Sequence, residues 1–243
     1  MGTEIATEFF KLRTTRSPWL LLIAAQLVVV AGVGGLIASG TDVQLASTPI
    51  DAVRHAGLVS LFTLILGIMA VAGEYRHKTI TDTFLGTPRR SQVILAKLVS
   101  YTVVGIVFGL ISATTALIAT AIWLTASGAS LDFANGQLWR TVIGGIVWNG
   151  TFAAIGVGLG ALVRNFAGAI AVALGWAALV EGIIGQLIGR FSEWLPIASG
   201  TILDGIRSNS TVLPQWGAGL VLVGYAALFA ILAVWLTQRR DVT

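Results

Sequence analysis

The sequence predicts an all-α polytopic membrane protein with six transmembrane helices. Hydrophobic residues make up 56% of the 243 residues and charged residues only 11%, a composition typical of integral membrane proteins. Apolar runs without a charged side chain recur along the chain, and most can supply the roughly 20 residues that one helical crossing needs. Lysine and arginine lie mostly at the ends of these runs, as expected at a membrane surface.

Six spans are the simplest count. Five charge-free runs are long enough for one crossing each, and a sixth, shorter run ends at Glu181. The predicted span cores are 19–38, 53–72, 101–123, 139–162, 166–188 and 216–236. No stretch suggests a separate globular domain, so residues 1–243 are predicted to form one transmembrane permease domain.

The basic residues predict the orientation of the chain. An even number of spans puts both termini on one side, and that side holds eleven of the fifteen basic residues: Lys11, Arg13, Arg16, Arg76, Lys78, Arg89, Arg90, Lys97, Arg164, Arg239 and Arg240. The other side keeps Arg54, Arg140, Arg190 and Arg207. The positive-inside rule therefore predicts cytoplasmic termini and a multi-pass protein of the inner (plasma) membrane. With no soluble basic domain to hold a duplex, nucleic-acid binding is not expected.

Residues 1–17 are predicted to form an amphipathic helix at the inner interface. Ile5, Phe9 and Leu12 recur on one side at helical spacing, and polar residues occupy much of the other: Glu4, Glu8, Lys11 and Arg16. Pro18 then marks the turn into the first span. A frayed cytoplasmic tail is the alternative.

The polar segment 73–90, between the second and third spans, is the most informative part of the chain. Ile80 and Phe84 stand at i and i+4, with Leu85 alongside, so a short helix here would show a small apolar knob. The remainder is polar: Thr79, Thr81, Asp82 and Thr83. Gly86 and Pro88 provide a stop for the helix. Arg89, Arg90 and Lys97 are expected to anchor the third span at the headgroups.

This segment resembles the first cytoplasmic loop of type-two ATP-binding-cassette export permeases. The resemblance extends to the amphipathic first helix, the six spans, the stretch 158–165 and the Trp194-Leu-Pro196 sequence. In that family the loop carries a coupling helix that docks into the ATPase subunit. The resemblance implies the following docking residues: Glu74, Arg76, Thr79, Ile80, Asp82, Phe84, Leu85, Pro88, Arg89 and Arg90. Lys78 departs from the pattern, because many relatives have glycine there. An ordinary basic connection between two spans is the alternative.

The resemblance implies a permease that is not itself catalytic. The chain has no Gly-x-x-x-x-Gly-Lys-Ser/Thr phosphate loop, so ATP and Mg are expected in a partner ATPase, in two copies. A second permease subunit, identical or different, would complete the pathway. The cargo would be a hydrophobic or amphipathic small molecule: a drug, an antibiotic or a lipid. No cysteine and only two histidines are present, so no metal site and no cofactor on this chain are predicted.

Polar and aromatic residues within the spans are candidates for a substrate pathway. They are Trp148, Asn149, Trp176 and Glu181. Helix packing is the alternative for the first three, and a solvated helix end is the alternative for Glu181. The resemblance also implies that residues 182–215 contain two short re-entrant helices. The pairs Gly105 with Gly109 and Gly156 with Gly160 permit close helix packing, although they can equally face lipid.

An ion-coupled secondary carrier and an intramembrane hydrolase are the two alternative function classes. An ion-coupled secondary carrier usually needs several buried ionisable groups, and only Glu181 approaches that description. An intramembrane hydrolase would need a serine–histidine pair, but both histidines fall outside the predicted span centres and no Gly-x-Ser-x-Gly elbow occurs.

Overall fold

The computed structural model describes residues 1–42, 45, 47–87, 89–206 and 212–239, which form helices and turns without any β-strand among them. The α-helices are α1 Gly2–Thr14, α2 Arg16–Ala38, α3 Thr48–Val53, α4 Ser60–Arg76, α5 Ile80–Gly86, α6 Arg90–Ala126, α7 Gly136–Val163, α8 Phe166–Gly175, α9 Gly185–Leu187, α10 Pro196–Leu203 and α11 Gln215–Arg239. The 3₁₀ helices Arg54–Val59 and Gly189–Trp194 and the π-helix Trp176–Ile184 complete the order.

Six helical segments of the described chain are long and apolar enough to cross a membrane, as the sequence predicts. They are Arg16–Leu36, Thr48–Arg76, Arg90–Ala126, Gly136–Val163, Phe166–Leu187 and Gln215–Arg239. The prediction of an all-α protein with six spans is therefore confirmed. The second span is longer than predicted, because α3 and a 3₁₀ turn precede α4.

Glycines bring the backbones of the central helices together. A methyl group at Gly156 of α7 would overlap the carbonyl oxygen of Leu64 on α4, and one at Gly67 would overlap that of Ala153. Gly105 of α6 makes a similar approach to α7. Small residues permit such contact between membrane helices. The glycine pairs of α6 and α7 thus face other helices rather than lipid, and α4, α6 and α7 form the centre of the bundle.

Both ends of the bundle have a distinct structure. The terminal face carries α1, α5, the end of α4, the start of α6 and the end of α11. The distal face carries α3, α9, the 3₁₀ helix Gly189–Trp194 and α10. The predicted cytoplasmic location of the terminal face, which rests on the positions of the basic residues, stays a prediction.

The region between the fifth and sixth spans is a series of short helices. Gly200 of α10 lies against the ring of Trp148, which is twelve residues, or roughly 18 Å, from the start of α7 at the helical rise. The α10 helix therefore reaches well into the bundle from the distal face. This arrangement suits the predicted re-entrant path.

Lys78 occupies the turn between α4 and α5 with a left-handed backbone, at φ 57°. An L-residue is disfavoured in this conformation by roughly 1–2 kcal/mol, whereas glycine adopts it freely. The glycine that the resemblance leads us to expect at this position would thus suit the turn that Lys78 makes.

We expect Lys78→Gly to raise the free energy of unfolding. The relief of the left-handed strain exceeds the greater entropy of glycine in the unfolded chain, so the net gain is about 0.5–1 kcal/mol. Thermal unfolding in detergent measures the change. Lys78→Ala removes the same charge but keeps a Cβ atom, so it should give no comparable gain; equal effects from both variants would contradict the strain argument.

Candidate functional site

The α5 helix lies on the terminal face with its apolar side turned inward. Ile80 and Phe84 are buried against Val93 of α6 and Tyr75 of α4. Leu85 is 76% exposed, and Thr81 and Asp82 are exposed as well. The expectation that Ile80 and Phe84 form an exposed apolar knob is therefore wrong. The reason is that the apolar side of α5 packs on its own chain, which leaves Leu85 as the outward apolar residue.

Arginines hold the aromatic side chains of this face. The guanidinium carbon of Arg90 lies 5.4 Å from the ring centre of Phe84, and that of Arg76 lies 5.7 Å from the ring centre of Phe166. Contacts of this type contribute about 0.5–1 kcal/mol each at exposed sites. Arg90 therefore helps to hold α5 against α6. Arg89 stays exposed beside it.

Four charged side chains from three helices meet where α5 joins the bundle. We call Glu8, Lys11, Glu74 and Lys97 the junction cluster. The Nζ atom of Lys97 lies 3.0 Å from both carboxylate oxygens of Glu8 and 2.7 Å from Oε1 of Glu74. Lys11 contacts the same two carboxylates, at 2.9 Å and 2.7 Å. Two cations and two anions thus neutralise each other.

The junction cluster is largely removed from solvent. The Lys97 side chain is fully buried, and Glu8 is only 3% exposed. Burial by itself lowers the pKa of Lys11, but its hydrogen bonds to Glu74 and Glu8 outweigh that effect and raise the pKa above its usual value. Lys11 therefore remains charged at every physiological pH. Charged groups in this setting are stable only while each one is paired.

One hydrogen bond links the junction cluster to α5. The hydroxyl of Thr83 donates to Oε2 of Glu74 at 3.3 Å. A groove of about 740 Å³ runs beside this contact, lined by Lys11, Arg76, Thr79 and Asp82 among others. The interfacial helix, the second and third spans and α5 are thereby joined at one point on the terminal face.

The sequence patterns do not indicate the junction cluster, and two of its members lie elsewhere than predicted. Lys97 was expected at the headgroups and Glu8 on an exposed polar side, yet both are buried. Glu8 and Lys97 are 89 residues apart in the sequence, so no local pattern indicates that they pair. One signal was present: Lys97 stands between the apolar stretch 93–96 and the third span, and a lysine with apolar neighbours on both sides needs an acidic partner if it is buried. Glu8 and Glu74 are among the few acidic residues near that face.

Two of the four predicted pathway residues belong to the packed interior. Trp148 is 4% exposed and meets Phe152 edge to face, with 5.7 Å between ring centres. The amide of Asn149 is fully buried and donates to the carbonyls of Gly145 and Ala56, at 2.8 Å and 3.3 Å. Helix packing, the alternative considered for both, explains their positions.

Trp176 and Glu181 do lie together at a cavity. They border an apolar space of about 160 Å³ between α4, α7, the fifth span and α11, lined also by Leu64, Phe152 and Tyr225. The indole nitrogen of Trp176 donates to Glu181 at 3.1 Å. Of the predicted pathway residues, only these two line this cavity.

Glu181 also holds the distal region in place. Its carboxylate oxygens each accept a backbone N–H bond of 2.8 Å from the first turn of α10, from Ile197 and from Ala198. These N–H groups have no partner within the helix, so Glu181 caps α10 from the fifth span. Glu193 accepts similar bonds from Val212 and Leu213 ahead of α11. The view of Glu181 as a merely solvated helix end is wrong.

Some predicted residues cannot be placed. Pro88, assigned to docking, and Arg207 and Arg240, used for orientation, lie outside the described residues. The other docking residues all belong to α5 or its two flanks: Glu74, Arg76, Thr79, Ile80, Asp82, Phe84, Leu85, Arg89 and Arg90. Their role in docking stays a prediction.

Comparison with known proteins agrees with the resemblance inferred from the loop. A family model described as "ABC-2 family transporter protein" matches residues 4–180. This range includes α1, the junction cluster, α5 and the first four spans. A search of curated proteins finds no match. Because the family match covers well over half of the sequence, the chain belongs to the ABC-2 transporter family and is a multi-pass membrane subunit of a transporter.

Proposed function

We propose that this chain is the permease subunit of an ATP-driven exporter and that a separate ATPase subunit docks on α5. The observation that carries the proposal is that α5 has one buried side, which contacts the permease, and one exposed side. Ile80 and Phe84 fix the helix to the permease, while Leu85 and Asp82 face outward. An exposed leucine on a short, otherwise polar helix is a contact that an apolar groove of a partner protein can cover. ATP and Mg would bind in that partner, and this chain would bind no cofactor.

Force applied to α5 has a direct route to the spans. Thr83 of α5 bonds to Glu74, and Glu74 shares Lys97 with Glu8 of the interfacial helix. We infer that closure of the ATPase dimer moves α5 together with α1 and the ends of α4 and α6. This movement would tilt the spans between inward-open and outward-open or occluded states.

The complete exporter would contain two ATPase copies and two permease subunits, identical or different. Exposed apolar residues line the outer spans, among them Leu27, Leu179 and Ile231. Such surfaces need either lipid or a second subunit as cover. The bilayer would be the plasma membrane, with the basic terminal face in the cytoplasm.

The cargo would be a hydrophobic or amphipathic small molecule, such as a drug, an antibiotic or a lipid. The support is the apolar cavity bordered by Trp176 and Glu181, whose walls are almost entirely hydrocarbon and aromatic. Ligand sites with such walls bind apolar molecules and use a few polar groups to orient them, and they commonly measure about 300–1,000 Å³. A drug-sized cargo would therefore require this cavity to widen as the spans move.

The docking proposal is tested by Leu85→Asp. We expect this change to weaken binding of the ATPase subunit by about 2 kcal/mol or more, which is roughly thirtyfold, because it puts a charge into an apolar contact. Copurification of the ATPase with a tagged permease, titrated against ATPase concentration, measures the loss. Ile80 and Phe84 are poor test positions, since their replacement disturbs the folding of α5 itself.

Leu45→Asp provides the matched control. Leu45 is also exposed, at 54%, but lies on the distal side between α2 and α3. It should leave copurification at the wild-type level. Undiminished association of a folded Leu85→Asp variant would refute docking at α5, whereas equal losses from both variants would point to a general effect of added charge.

A further inference from the structure

The carboxylate of Asp204, at the end of α10, is enclosed within the bundle. Asp204 is 2% exposed, and in the described part of the chain its Oδ1 atom has no hydrogen-bond partner. A buried polar group without a partner is costly, and a buried carboxylate more so in its charged form. Asp204 is not required by the docking or cavity geometry described above, so its position needs another explanation.

Two glycines from different spans form a slot around this carboxylate. A methyl carbon at Gly57 would lie 2.5 Å from Oδ2 of Asp204, and one at Gly145 would lie 3.2 Å from Oδ1. The backbones of α7 and α10 are also in close contact beside the slot, because a methyl group at Gly144 would overlap the carbonyl of Leu203. A slot this tight leaves no room for a metal ion or an organic ligand. A proton is the ligand that fits.

Arg54 is the charged group nearest to the slot on the second span. Its Nη2 atom donates to the carbonyl oxygen of Gly205 at 2.6 Å, and Nη1 forms an ion pair with Asp51. Two of the three Arg54 nitrogens thus have acceptors and Asp51 compensates its charge, while Nε is buried without a hydrogen-bond partner among the described residues. His55, also on this segment, turns away and packs its ring on Gly32 of α2.

The other described neighbours of the slot are uncharged. On α7, the hydroxyl of Thr141 and the indole nitrogen of Trp148 are buried and find no hydrogen-bond partner within the described ranges. On α11, the Gln215 amide donates to the carbonyl oxygen of Leu203 at 2.5 Å. Burial raises the pKa of Asp204 well above its usual value, and the nearby charge of Arg54 opposes that shift.

We propose that Asp204 is a proton-binding site that closes the distal end of the helix bundle. As the neutral acid, Asp204 fits the slot and holds α10 against α7 and the 3₁₀ helix Arg54–Val59. When α10 moves out and water reaches the carboxyl group, the O–H bond breaks and the proton passes to water. Closure takes the proton up again. The distal end is therefore linked to pH on that side of the membrane.

The direction of the pH effect follows from the linkage. The closed state binds one more proton than the open state between the ordinary and the raised pKa of Asp204. Closure is therefore favoured at low pH, and opening becomes easier as the pH rises through this interval, by up to about tenfold in the equilibrium constant per pH unit. Arg54 narrows the interval but does not reverse the sign.

A cysteine reporter can measure this opening, because the natural chain contains no cysteine. Ser60 lies one helical turn beyond Gly57 and is 1% exposed. Among the residues that the structure describes, its hydroxyl has no hydrogen-bond partner, so Ser60→Cys should be tolerated. The reagent is a membrane-impermeant maleimide, applied to the transporter in membranes. Ser130→Cys, at an exposed position on the distal side, identifies the correct side and corrects for the pH dependence of the thiol itself.

We expect the Ser60→Cys labelling rate, relative to Ser130→Cys, to rise with pH on the distal side. Adding Asp204→Asn, which keeps the shape but cannot ionise, should abolish that rise. A flat wild-type profile would overturn the proposal, and this measurement stands even if the Asp204→Asn variant fails to fold. Persistence of the rise in folded Asp204→Asn, or its loss in His55→Asn instead, would also overturn it. The labelling needs no ATPase docking, so the outcome is independent of the proposed contact at α5.

Discussion

Replacing Lys97 with methionine is expected to destabilise the protein more than any other single change at the terminal face. Lys97 is fully buried between Glu8 and Glu74, so the variant leaves two carboxylates to share Lys11. Removal of one partner from a buried ion pair costs about 3–5 kcal/mol. The thermal unfolding temperature in detergent should fall by roughly 10 °C for a chain of this size.

Two further variants test the explanation. Lys78→Met makes the same substitution at an exposed lysine and should leave the unfolding temperature nearly unchanged. Adding Glu8→Gln to Lys97→Met removes the uncompensated anion and should restore much of the lost stability, since the remaining Lys11–Glu74 pair is balanced in charge. The ion-pair argument fails if Lys97→Met alone is as stable as the wild type, or if the double variant is worse than the single one.

Gly156→Leu is expected to prevent correct packing of the central spans. Even a methyl group at this position would overlap the Leu64 carbonyl of α4, and backbone cannot move aside as a flexible side chain does. Overpacking of a core commonly costs about 1–3 kcal/mol and more where backbone is in the way. We expect little monodisperse protein by gel filtration, together with a strongly lowered unfolding temperature for what remains.

Gly224→Leu is the matched control for this prediction. Gly224 lies within α11, and a methyl group there would meet no neighbour within 4 Å. The added side chain should therefore be tolerated on a surface that faces lipid. A normal yield and stability for Gly156→Leu would show that α4 and α7 are not in backbone contact.

The spans were predictable because hydrocarbon imposes its length on any helix that crosses it. The runs around 101–123 and 139–162 carry this signal without interruption, and both became single helices. Which surface the apolar side of α5 contacts was less predictable. The periodicity of Ile80 and Phe84 correctly indicated an amphipathic helix, but periodicity does not say whether a partner or the same chain covers the apolar side. The fold resolved that question in favour of Tyr75 and Val93.

The polar interior was the least predictable part of the chain. Glu8 and Lys97 meet across 89 residues of sequence, and Asp204 enters its slot only because α10 folds back into the bundle. Both arrangements depend on tertiary packing, which single-sequence patterns do not contain. Glu181 was identified as notable from its depth, yet its role as a cap for α10 required the position of Ile197 and Ala198.

The glycine contacts between α4 and α7 have a mechanical consequence. Because backbone lies against backbone at Gly67 and Gly156, the two helices have little freedom to move relative to each other and should move as one rigid pair. The terminal end of this pair carries Glu74, and near the middle of α7 the ring of Trp148 lies against Gly200 of α10. A displacement of the terminal face would therefore be transmitted to α10 over a contiguous path of packed atoms.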